Sequence, residues 1–103
     1  MSTLIVLFKL HPDADVTAYE AWAQTTDLPV VRNLPSVGRF DLYKSVGLFG
    51  SGEAAPYDYV ELIEINDLQL FGSDVATDTM GKVAEEFRRF ADNPVFILTD
   101  RLS

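Results

Sequence analysis

The stretch Tyr57–Phe90, YDYVELIEINDLQLFGSDVATDTMGKVAEEFRRF, contains the change of period that decides the fold. Tyr57 to Ile65 is short and rich in aromatic and aliphatic residues, and it reads as a strand. After Asn66-Asp67 the spacing lengthens. Leu68 to Phe71 allows one turn, Gly72-Ser73 interrupts, and Met80, Val83, Ala84, Phe87 and Phe90 then fall on one face of a helix. Glu85 and Glu86 precede Arg88 and Arg89, the order that the helix dipole and i, i+3/i+4 pairing favour.

On the C-terminal side, Asp92-Asn93-Pro94 stops that helix and Val95 to Leu102 is a last strand. On the N-terminal side, the flexible stretch Gly47 to Gly52 separates Tyr57 from a strand beginning at Ser36, in which Val37, Phe40, Leu42, Tyr43 and Val46 mark a two-residue period. Thr3 to Leu10 is a strand closed by His11-Pro12. Asp13 then offers a cap to a helix carrying Val16, Tyr19, Trp22 and Ala23 to about Thr26. Asp27-Leu28-Pro29 reads as a fresh cap with proline in the first turn, so the helix is expected to break there, and a short second segment carries Val30, Val31 and Leu34. The order is β-α-β-β-α-β. It predicts one α+β domain over residues 1–103, of ferredoxin-like type, with a four-stranded antiparallel sheet and its helices on one face.

Composition limits the function. A hydrophobic share of 48% rules out a disordered chain. With 16 acidic residues against 8 basic ones, the field repels nucleic-acid phosphates and anionic membranes, so neither is an expected partner. The absence of cysteine removes thiolate catalysis and thiolate metal sites. Met1-Ser2-Thr3 leads into an apolar run without a basic region or cleavage pattern, and no apolar run is long enough to span a bilayer; a soluble, cytoplasmic protein is expected.

A sheet with both crossover helices on one face leaves its other face bare. In the first strand Leu4, Val6, Phe8 and Leu10 alternate with the equally apolar Ile5 and Leu7, and in the last Val95 and Ile97 alternate with Phe96 and Leu98. Both faces need cover, and a second copy packed sheet on sheet is the simplest partner, a homodimer.

Chemistry-bearing residues are sparse. Phe40 and Leu42 on one face of the second strand leave Arg39, Asp41 and Tyr43 on the other. In the third strand Val60 and Leu62 leave Tyr59, Glu61 and Ile63. Pairing of these strands is expected to gather Arg39, Asp41, Tyr43, Tyr59 and Glu61 on one half-buried face with Lys9 and His11, as a polar cavity or as an ion-pair network between subunits. His11 is the only histidine and the best single acid/base candidate; the plainer reading is a turn residue before Pro12. Asp27 is most simply a helix cap. Trp22 and Tyr19 suit core packing, and the indole could also stack an aromatic ligand. Asp13 and Asp15 near His11 are better explained as first-turn helix acids than as metal ligands, so no metal is expected. The Gly47–Gly52 loop lacks a lysine and opens no helix, so it matches no phosphate-binding fingerprint.

The combination Tyr19-Glu20-Ala21-Trp22-Ala23, Asp27-Leu28-Pro29, Leu34-Pro35-Ser36-Val37, Phe40-Asp41-Leu42-Tyr43 and Tyr57-Asp58-Tyr59-Val60-Glu61 resembles the REDY-like proteins of prodigiosin and other prodiginine pigment pathways, within the dimeric α+β barrel superfamily. The resemblance covers essentially the whole chain. It implies a homodimeric barrel with a cleft between each sheet and its helices, no cofactor, and a small, reactive pyrrole- or indole-like intermediate as partner. No histidine lies later in the chain to ligate haem, so haem degradation is not expected. One reading is a cofactor-independent enzyme, of cyclase, hydrolase or isomerase type, that steers the intermediate by proton transfer through His11 with Asp27, Asp41 or Glu61, and holds it with Trp22, Arg39, Tyr43 and Tyr59. The other is a non-catalytic binding or chaperone module assisting a neighbouring enzyme.

Overall fold

The chain was analysed as a computed structural model, which describes residues 2–103. Met1, where the reading against a signal peptide begins, lies outside them. Strand β1 (Ser2–Leu10) runs through the middle of a four-stranded antiparallel sheet, between β3 (Tyr59–Ile65) and β4 (Ala91–Asp100); β2 (Val37–Lys44) pairs with β3 on its far side. Helix α1 (Val16–Trp22) follows β1, and α2 (Leu28–Arg32) leads to β2. Between β3 and β4 lie α3 (Leu68–Val75) and α4 (Asp78–Phe90). The ferredoxin-like α+β order expected from the sequence is the one observed, with an extra short helix in the second crossover.

Apolar side chains on the helical side of the sheet explain the packing. Val6 and Phe8 of β1 are fully buried, and Phe8 stacks on Tyr59 and meets Tyr19 of α1 and Phe87 of α4 edge-on. A second cluster joins Phe40, Ile63 and Ile65 of the sheet to Val31 of α2 and Met80 and Val83 of α4. Burial of side chains this size contributes roughly 1.5–3 kcal/mol each, which is what holds the helices to the sheet.

Several local expectations are corrected. The cap of α1 is Asp15, whose Oδ1 accepts from the Ala18 N–H at 3.2 Å, rather than Asp13. Gly72-Ser73 does not interrupt α3, which Asp67 caps by accepting from the Leu70 N–H at 3.0 Å. Asp92-Asn93-Pro94 belongs to β4 instead of preceding it. Asn93, at φ 46°, lies in the stretch where the register with β1 shifts, and Pro94 is tolerated because β4 is an edge strand.

The face assignment of β3 slips by one residue. Phe40 pairs with Ile63 and Leu42 with Glu61, so Tyr59, Glu61, Ile63 and Ile65 turn to the helices. Arg39, Asp41 and Tyr43 instead share the open face with Val60, Leu62 and Glu64. That face also carries Ile5, Leu7, Val95 and Ile97, the last two exposed.

Candidate functional site

The helix does not break at Asp27. Residues Ala23–Asp27 form a π-helical turn that joins α1 to α2, and the Leu28 N–H reaches back five residues to the Ala23 carbonyl. Pro29 supplies a reason. In a regular α-helix its ring would press on the Thr25 carbonyl and its missing N–H would leave that group unbonded, and a widened turn relieves both. Asp27, read from sequence as a cap, makes no capping hydrogen bond; it is 6% exposed and faces inward.

There it lines a cavity with Glu61 of β3, itself 5% exposed. The cavity has a volume of about 320 Å³ and lies between the sheet and helices α3 and α4. Its wall is otherwise apolar inside, with Val6, Phe40, Ile63, Phe71, Met80 and Phe87 among the lining residues, and Arg88, Pro94 and Phe96 complete it on the side of β4.

Burial dominates the electrostatics. It raises the Asp27 carboxyl to about 7. It raises Glu61 to about 8, and the charge on Asp27 adds to this, so the cost of placing two negative charges in one apolar space falls on the second acid to ionise. Near neutral pH the pair therefore holds at least part of its proton complement, and each acid can donate or accept. Glu61 Oε2 has no hydrogen-bond partner among the described residues. The same holds for the Tyr19 hydroxyl, which burial and the charges of Glu61 and Asp27 push far up, and for the Trp22 indole nitrogen. Buried polar atoms are usually satisfied, so this group of orphans beside a cavity has the chemistry of a binding site.

The other expected site residues are dispersed. His11 borders a shallow depression with Lys44, Asp58 and Tyr59, its Nε2 3.3 Å from the Arg88 carbonyl and its Nδ1 3.9 Å from Asp92. It does not line the carboxylate cavity. Arg39 and Asp41 pair at 2.6 Å on the open face, where they and Tyr43 line another depression with Glu64, Thr99 and Arg101. Tyr59 is buried on the helical side and donates from its hydroxyl to Glu20 Oε2 at 2.6 Å; Lys44 meets the same oxygen at 2.7 Å. Trp22 packs between the two core clusters, its ring centroid 6.5 Å from that of Phe87 and 5.7 Å from that of Phe90. The one polar face expected from the sequence is thus divided between two faces, because β3 turns the other way. Sequence reading missed Phe71, Arg88 and Phe96 as cavity residues. The available signal was Glu61 itself, an acid in phase with Tyr59, Ile63 and Ile65.

A four-stranded antiparallel sheet with two crossovers on one face and a cavity beneath them defines a ferredoxin-like α+β protein. The chain belongs to the REDY-like protein HapK family, whose family model matches residues 2–102. It is similar in structure to HapK from Hahella chejuensis, at 34% identity over 99% of this chain and 93% of that one, with a TM-score of 0.78. Two more distant structures share the fold alone. One is SnoaB, a cofactor-independent oxygenase from Streptomyces nogalater, at 15% identity over 99% of this chain and 93% of that one and a TM-score of 0.76. The other is an EthD family protein from Bacillus halodurans, at 17% identity over 99% of each chain and a TM-score of 0.74. Comparison with curated proteins finds no match.

Proposed function

We propose that this chain binds a small, reactive pyrrole- or indole-like intermediate of a prodigiosin-type pigment pathway in the cavity beneath the helices, and steers it by proton transfer through Asp27 and Glu61 without a cofactor. The observation that carries this reading is the pair of buried acids, raised toward neutral pH, in an otherwise apolar space of ligand size. An acid whose proton affinity matches the ambient pH is at its most effective as a general acid or base. An apolar wall excludes the water that would compete for a reactive heteroaromatic. We also read the protein as a cytoplasmic homodimer, since Ile5, Leu7, Val95 and Ile97 need cover on the open face.

The test is to incubate the purified protein with bipyrrole intermediates of such a pathway and to follow products. Conversion that Glu61→Gln and Asp27→Asn abolish, with binding retained, is the expected result. Binding without conversion in the wild type would overturn catalysis and leave a chaperone-type module. Absence of both would overturn the assignment of the cavity.

A further inference from the structure

Among the residues lining the cavity, Arg88 is the only base. Its neighbour on α4, Arg89, pairs with Glu85 at 3.0 Å. Arg88 has no acidic partner among the described residues, which is also true of Lys9, Arg32, Lys82 and Arg101, but of these bases it alone lines the cavity. It is exposed, as is Phe96 at 58%, which β4 presents on the helical side of the sheet as a flat apolar wall next to Pro94 in the same lining. The cavity is therefore polarised. A free cation and an aromatic ring stand at the mouth, apolar side chains line the middle, and two buried acids lie within.

A ligand matching that sequence of environments has an anionic end and a flat apolar end, in that order. Any charge that the buried acids carry repels an anion that enters, so they too favour leaving its charge outside. The planar guanidinium fork matches a carboxylate with two parallel hydrogen bonds. The volume, at the small end for ligand pockets, suits a compact unit of one or two rings rather than a long chain. We infer that the ligand is a small aromatic acid, its ring in the apolar cavity and its carboxylate held at the mouth by Arg88. This rests on the reading of the cavity as a binding site and adds the charge and orientation of what it takes.

Indole-3-acetate and its neutral isostere indole-3-acetamide serve as probes, titrated into the intact protein by calorimetry or NMR at low ionic strength. The acid is expected to bind about tenfold or more tighter than the amide, as a charge-assisted hydrogen bond gives. Arg88→Gln should remove that preference by weakening the acid far more than the amide, and Arg89→Gln should leave the preference in place. The net charge of −8 disfavours anions in general, so a preference for the acid requires a local cause. Equal binding of acid and amide, or a preference that survives Arg88→Gln, overturns the inference and leaves the binding site standing. Failure of both probes to bind at millimolar concentration removes the inference and the cavity reading together.

Discussion

Asp27 and Glu61 reach one cavity from opposite layers, Asp27 from a widened helical turn and Glu61 from a strand of the sheet, and the charge on Asp27 raises the proton affinity of Glu61. A protein that keeps two carboxyls so placed gives up stability at pH values where both must ionise.

The sign of that effect is fixed. Both acids hold protons in the folded chain, up to about pH 7 and 8, where the unfolded chain has released them near pH 4. The folded state thus binds more protons across this window, and stability falls as pH rises through it, by on the order of a few kcal/mol. Glu20, lowered by its hydrogen bonds to Lys44 and Tyr59, acts the other way but only below this window. Urea unfolding at pH 5 and pH 8 should show the lower midpoint at pH 8, and Glu61→Gln should remove much of the difference. A midpoint that rises with pH would contradict the burial of the pair.

Removal of a proton-transfer group should reduce turnover about a hundredfold or more for Glu61→Gln and for Asp27→Asn. His11→Ala should change it by less than about threefold, since His11 lies outside the cavity. The comparison needs the three variants assayed side by side with thermal melts. The reverse ranking would move the chemistry to the His11 depression.

The Tyr19 hydroxyl is fully buried without a partner among the described residues, so Tyr19→Phe removes an unsatisfied group and keeps the ring contacts with Phe8, Trp22, Tyr59 and Phe90. The melting temperature should stay level or rise. A loss of more than about 2 kcal/mol would mean that the hydroxyl is bonded in solution.

Sedimentation velocity at micromolar concentration should give a dimer, and Ile97→Glu, on the open face and 43% exposed, should give a folded monomer. A wild-type monomer at every concentration would require another explanation for the apolar open face.

The order of elements was legible because each strand and helix carries its own period and its own breaker. The faces were less so. Val60 and Leu62 alternate with Ile63 and Ile65, so an apolar residue stands on either phase of β3, and nothing in a two-residue period chooses between them. Pairing of Glu61 with Val6 and Leu42 made the choice. Asp27-Leu28-Pro29 was misleading for a different reason. The tripeptide that starts a new helix is also one that a π-turn can carry within a continuing helix, and only the packing of α1 and α2 on one sheet distinguishes them. Both errors fell on the two acids of the candidate site, where local preference and tertiary placement conflict.

Trp22 is the only tryptophan, its indole N–H lacks a partner among the described residues, and its nearest aromatic neighbours include Phe87, which lines the cavity. The chain thus carries one indole fluorophore, partly buried and one side chain away from any occupant. Excited at the red edge, where tyrosine does not absorb, its emission should shift or quench when a ligand that is not itself an indole enters the cavity, with no label attached.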